Sequence, residues 1–145
     1  MTNVPLVVRK LAMLDEHLRR LRERRPADVA SFASDTLLQD AVSMSVLVVV
    51  QEAMDIALHI ASDEGWELAT TYREAFIVLE RHGVIDPTLT PLLIGAAAQL
   101  RNRIAHGYAS LDVERLWTEL PSGISTFSAY AGAIAAFLRQ ASATP

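Results

Sequence analysis

The sequence predicts an all-α fold, an up-and-down bundle of four to five helices formed by a single domain over residues 1–145. Three observations predict it. Apolar residues recur three and four positions apart along almost the whole chain. Helix starts and stops fall between those runs. The one stretch with strand propensity, Ser45 to Val50, lies inside a run from Asp35 to Glu64 that holds neither glycine nor proline, too long for a strand.

From Pro5 to about Arg24, Val7, Leu11, Leu14, Leu18 and Leu21 form one helical stripe; Pro5 suits a first turn and Pro26 a stop. Arg19, Arg20, Arg22, Arg24 and Arg25 crowd its last turns, where cations complement the helix dipole. Asp28 to Ser34 reads as a short turn or partial helix. Asp35 starts a long helix to about Ser62, apolar at Leu38, Val42, Val49, Ala53, Ile56 and Ile60, with Leu37, Met44 and Val48 beside that stripe. So wide an apolar surface belongs to a central helix or to a subunit interface. Its most apolar run, Val46 to Val50, is far short of a membrane span.

Gly65 ends that helix. Thr71 and Glu74 are spaced as a capping box for Tyr72 to about Arg81, and His82-Gly83 is its stop. Asp86-Pro87 and Thr90-Pro91 offer two starts one turn apart, so the first turn is separate or kinked. The helix that follows carries Leu92, Leu93, Ala96, Ala97, Leu100 and Ile104 and should end near His106-Gly107. Asp112 caps another with Leu116 and Trp117, which Pro121 to Gly123 should interrupt. A last helix, about Ser125 to Gln140, turns Phe127, Tyr130, Ile134 and Phe137 inward.

At 145 residues, 51% hydrophobic and 21% charged, the chain has the composition of a folded domain, not of a disordered one. A net charge of −4 excludes a broad basic field for nucleic acid. The cations are nevertheless nearly all arginine, with Lys10 the one lysine, and arginine binds phosphate bidentately. With no cysteine there is no disulfide or thiolate site. Val4 to Val8 is too short for a signal-peptide core, so a cytoplasmic location without membrane contact is expected.

Chemistry concentrates in Arg101-Asn102-Arg103-Ile104-Ala105-His106-Gly107-Tyr108. Leu100 and Ile104 share a core-facing side, and Asn102 and His106 share another, where the amide can fix the imidazole tautomer. Arg101 lies roughly 140° around from His106, so the two converge only if the arginine wraps or the helix end loosens. Arg103, three before His106, reaches it more directly. Arginine stabilises the charge that grows on a transferring phosphoryl group, and histidine titrates near neutrality. RNA brings its own 2′-hydroxyl nucleophile, so these residues suffice for cleavage without metal or other cofactor. One chain has one such histidine, and a two-fold dimer would bring two to one cleft. A second polar stripe, Glu52, Asp55 and His59, shares a helix face; one helix supplies too few ligands for a metal, and a bonded polar group lining a cleft fits better.

The order Arg101, four residues, His106, one residue, Tyr108 resembles the R-x4-H-x-Y signature of HepT-like toxins in the HEPN superfamily of helical ribonucleases. Residues 51–60, 72–79 and 108–112 are similar to family segments as well, in order, over roughly residues 5 to 140. The resemblance implies a HEPN-like bundle and a metal-independent endoribonuclease that acts as a homodimer. Arg101 and His106 would carry the chemistry, with Asn102, Arg103, Asp55 and His59 in support. It also implies a partner, an MntA-like nucleotidyltransferase antitoxin, which transfers AMP from ATP to Tyr108 and so blocks access of the RNA substrate. Two competing expectations are a catalytically silent helical module that binds a nucleotidyltransferase and, ranked last, a nucleotide-sensing bundle using Arg101 and Arg103.

Overall fold

Local capping sets most of the helix starts. The computed structural model describes residues 1–105 and 111–144. Among the described residues there are six helices: α1 (Val4–Arg24), α2 (Val29–Ala33), α3 (Thr36–Asp63), α4 (Tyr72–Arg81), α5 (Leu89–Ala105) and α6 (Val113–Ala143). The side chains of Asn3, Asp28, Asp35, Thr71 and Asp112 accept hydrogen bonds from Leu6, Ser31, Leu38, Glu74 and Arg115 backbone N–H groups. Each satisfies a donor that the first turn leaves unpaired. Only half of the Thr71–Glu74 box forms, because the Glu74 carboxylate accepts from Thr70 N–H at 2.8 Å instead of from Thr71.

The stops after α3 and α4 share one geometry. Gly65 and Gly83 have φ of 68° and 74°, the left-handed region that other residues enter at a cost. Trp66 N–H then reaches Ala61 C=O, and Val84 N–H reaches Leu79 C=O, both at 2.9 Å, as in a Schellman ending. At the start of α5, Asp86 accepts from Thr88 N–H at 2.8 Å and holds a separate turn around Pro87. The helix proper begins at Leu89, which leaves Pro91 in a first turn where an N–H has no intrahelical partner.

Four long helices run alternately up and down. Thr2 meets Glu64, Lys10 meets Asp55 and His17 meets Ser45, so residue numbers rise along α1 as they fall along α3. Leu100 against Gly123 and Arg103 against Glu119 give the same relation for α5 and α6. α3 packs against all the other helices and supplies Val42, Val46, Val49, Ala53, Ile56, Ala57 and Ile60 to the core. By length and composition alone α3 passes the test for a membrane-crossing helix, a test that a core helix also passes. Its central position accounts for much of that composition: contacts with all five other helices bury apolar residues over a wide part of its circumference. Phe76, Phe127 and Tyr130 complete the core, with Phe76 edge-on to Tyr130 at 5.6 Å. Truncating either phenylalanine to alanine should cost about 3–5 kcal/mol. The buried Tyr130 hydroxyl donates to Ala53 C=O at 2.8 Å and ties α6 to α3; burial raises the pKa of that phenol well above its ordinary value.

The expected interruption at Pro121 to Gly123 does not occur; α6 continues through it. Pro121 has no N–H to give Trp117 C=O, four residues back. Arg25 Nε takes over and donates to that carbonyl at 3.0 Å, while its guanidinium lies 3.9 Å above the Trp117 ring. Trp117 Nε1 in turn donates to Pro26 C=O at 3.0 Å. The break is thus repaired from the end of α1. Gly123 is a contact point: a Cβ there would stand 2.8 Å from Leu100 Cδ1, so its absence lets α5 approach α6.

Candidate functional site

α5 presents the motif. Leu93, Ala97 and Leu100 are buried, and this fixes the roll of the helix. Arg101 and Asn102 then face solvent, while Arg103 and Ile104 are half-buried. Arg103 is engaged: its guanidinium donates to both Glu119 carboxylate oxygens on α6, at 3.2 and 3.3 Å. That bonding raises its pKa from an already high value. Arg103 therefore works as a fork that clamps α5 to α6. His106 and Tyr108 lie outside the described residues, in the segment between Ala105 and Leu111, as does the expected pairing of Asn102 with His106.

Arg101 borders a groove of about 360 Å³ between α5 and α3, lined by Leu47, Val48, Val50, Gln51, Glu52 and Met54. Beyond Leu47 a second groove continues along α3 to Met44, Ser43 and Asp40, with Ile104 and Leu111 on its far side. Ile104 and Leu111, on either side of residues 105–110 in the sequence, both line this second groove. Among the described residues Arg101 is the one cation that lines either groove.

Asp55 and His59 do not join Arg101 among the groove's lining residues; Glu52 does. Lys10 of α1 draws the carboxylates toward it, with Nζ 3.2 Å from Asp55 Oδ2 and 3.5 Å from Glu52 Oε2. Gln51 Nε2 also donates to Asp55 Oδ1 at 2.9 Å. Glu52 and Asp55 thus form an ion-paired seam between α1 and α3, Glu52 also reaches the groove, and His59 is half-buried outside its lining. Among the described residues no group of three His, Asp or Glu side chains could hold a metal ion.

Two polar features were missed in the sequence. His17 is buried, and its Nδ1 shares a hydrogen bond with the buried Ser45 hydroxyl at 2.9 Å. Burial, helped by the charge of Arg20, lowers its pKa from 6.5 and keeps the imidazole neutral. Its signal was its place in the stripe, three residues after Leu14 and four before Leu21. The second is His82, whose ring stacks on Trp66 at 4.1 Å and whose Nε2 meets Glu67 Oε2 at 2.8 Å. The arginine cluster of α1 is largely self-contained: Arg19 bonds Glu16 and Glu23, and Arg20 bonds Glu16. These cations lower the Glu16 pKa to about 2. Arg22 bonds Ser128 on α6.

Comparison with known proteins places this geometry in context. The family described as "Ribonuclease HepT-like" matches residues 14–134. The tRNA nuclease HepT of Aphanizomenon flos-aquae (strain 2012/KM1/D3) is 25% identical over 140 residues, 95% of each chain. The mRNA nuclease HepT of Shewanella oneidensis (strain MR-1) is 25% identical over 109 residues, 75% of this chain and 80% of that one. Among solved structures, a toxin–antitoxin MntA–HpeT mutant superposes with a TM-score of 0.80 at 23% identity, covering 91% of this chain and 98% of that one. A tri-AMPylated Shewanella oneidensis HEPN toxin in complex with MNT antitoxin gives 0.78 at 23% identity, over 94% and 99%. These likenesses establish the shared fold.

Proposed function

Because the chain belongs to the ribonuclease HepT-like family, we propose that it is a metal-independent endoribonuclease and the toxin of a toxin–antitoxin pair. The observation that carries this reading is the presentation of Arg101: exposed, at the end of α5 and beside a groove, inside the matched span and five residues before His106. Arg101 binds the scissile phosphate and neutralises charge as a fifth oxygen adds to phosphorus. His106 takes the proton of the 2′-hydroxyl, whose oxygen attacks the adjacent phosphorus. The 5′-oxygen of the next nucleotide departs and takes up a proton, leaving a 2′,3′-cyclic phosphate and a 5′-hydroxyl. In a two-fold dimer the His106 of the second copy would deliver that proton. Leu37 and Met44, 81% and 59% exposed on α3, support a two-fold dimer on this side of the molecule.

Neutralisation follows the pattern of one solved neighbour, the tri-AMPylated Shewanella oneidensis toxin in complex with its MNT antitoxin. The Tyr108 phenol oxygen attacks the α-phosphorus of ATP on a nucleotidyltransferase, pyrophosphate leaves, and the AMP so attached puts bulk and negative charge two residues from His106. A cytoplasmic location suits both the RNA and the ATP. Incubation with the cognate nucleotidyltransferase and ATP, followed by intact-mass measurement, tests the acceptor. Steps of one or more AMP units should disappear in Tyr108→Phe; steps that persist would place the acceptor elsewhere.

A further inference from the structure

Beside Arg101 the groove has the chemistry of a nucleobase pocket. Its walls, Leu47, Val48, Val50 and Met54, are apolar and suit the flat face of a base. Its volume of about 360 Å³ falls at the small end of the range for bound small molecules, about 300–1,000 Å³. The polar groups in the lining, apart from Arg101, are Gln51 and Glu52. Glu52 Oε2 is buried and has no hydrogen-bond donor among the described residues; its nearest cation, Lys10 Nζ, stands 3.5 Å away and is shared with Asp55. Sharing Lys10 with Asp55 leaves Glu52, the one carboxylate in the lining, with unused acceptor capacity. The Gln51 amide nitrogen is already engaged with Asp55, and its carbonyl oxygen adds a further acceptor.

We propose that this groove is a guanine-selective subsite for the nucleotide next to the scissile phosphate. The proposal rests on the ribonuclease reading for its ligand class and goes beyond it in assigning base selectivity. Guanine presents two adjacent donors, N1–H and the 2-amino group, which match a carboxylate bidentately. Adenine and cytosine present one amino group beside an acceptor that would face the carboxylate, and uracil presents one N–H between two carbonyls. With the base against Leu47 and Val48 and its edge toward Glu52, the attached phosphate comes to Arg101 at the groove's rim. Local recognition of this kind also suits a protein of net charge −4, whose affinity for RNA cannot come from a general positive field.

The test separates binding from cleavage. Backbone amide NMR of the His106→Ala protein, titrated with GMP, AMP, CMP and UMP in turn, should show GMP shifting the amides of residues 47–54 and Arg101. The other nucleotides should need at least about fivefold higher concentration for the same shift, the lower end of discrimination by a bidentate base contact. Glu52→Gln should erase the GMP preference. Leu47→Trp, which fills the groove without touching the Lys10 pair, should abolish the shifts for all four nucleotides. Equal responses to the four nucleotides, shifts unaffected by both variants, or perturbation of 47–54 by protein concentration alone would overturn the subsite; the last result would assign the groove to a second copy of the chain. GMP-specific shifts in a protein whose wild type cleaves no RNA would instead contradict the ribonuclease reading while sustaining the subsite. Cleavage with no guanine preference at the cut would sink the subsite and leave the ribonuclease reading standing.

Discussion

Arg25→Ala removes the donor that replaces the missing N–H of Pro121. The lost bond is charge-assisted and partly buried, from Nε to Trp117 C=O at 3.0 Å, and a hydrogen bond of this kind contributes about 1.5–3 kcal/mol. The guanidinium stacked 3.9 Å above the Trp117 ring adds about 0.5–1 kcal/mol. Water reaches part of the site and compensates, so a net loss of about 2 kcal/mol is expected. For a chain of this size that corresponds to a fall in Tm of about 4–8 °C. A double-mutant cycle isolates the cause. In a Pro121→Ala background, residue 121 regains its N–H and bonds Trp117 C=O itself, so Arg25→Ala should cost about 1 kcal/mol less there. Effects of the proline on the unfolded chain appear on both sides of the cycle and cancel. Arg25→Lys keeps the charge but loses the flat fork and should recover little. The assay is urea unfolding followed by far-ultraviolet circular dichroism. An unchanged midpoint for Arg25→Ala, or equal costs in both backgrounds, would refute the account of how α6 passes its proline.

Other consequences follow from the same contacts. Gly123→Val drives a methyl group into Leu100 and should cost about 1–3 kcal/mol; RNA cleavage should fall with it, since Leu100 sets the position of Arg101, and full activity with an unchanged Tm would contradict that coupling. Arg103→Gln breaks the fork to Glu119 and should lower the urea midpoint slightly while reducing kcat far less than Arg101→Ala; equal losses in kcat would mean that Arg103 also contacts substrate. His17 has a lowered pKa in the folded state, so the unfolded chain binds the extra proton first. Stability from the neutral imidazole is fully present above pH 6.5, the unfolded value, and is lost as pH falls through it. Urea midpoints between pH 7.5 and 5.5 should therefore decline, and the decline should shrink in His17→Gln; an identical slope in the variant would remove His17 as its source.

The local features of the fold were legible in the sequence. Asp35, Thr71 and Asp112 cap helices where their spacing from the next apolar residue says they should, and Gly65 and Gly83 end them with positive φ. What was misread depended on partners far away in sequence. Pro121 has the local signature of a break, and the residue that repairs it, Arg25, is about ninety positions earlier. Glu52, Asp55 and His59 looked like one unit because helical periodicity aligns them; Lys10, on another helix, divides the stripe between an ion-paired seam and the groove. The arginine motif shows the same limit. Spacing put Arg101 and Arg103 in one cluster, and only Glu119 on α6 separates the clamping arginine from the exposed one.

The central claim is that Arg101 and His106 cleave RNA without a metal. Its most direct test is single-turnover cleavage of a tRNA and mRNA pool by the purified chain in EDTA, with wild type, Arg101→Ala and His106→Ala compared at matched folded fraction. Wild type should cut and leave 2′,3′-cyclic phosphate ends. Each variant should lose about 10²–10³-fold in rate, as when one stabiliser of transition-state charge or one proton-transfer group is removed, and Arg101→Ala should retain the wild-type Tm because its side chain is exposed. Cleavage by wild type that both variants match, or that EDTA abolishes, would contradict the account.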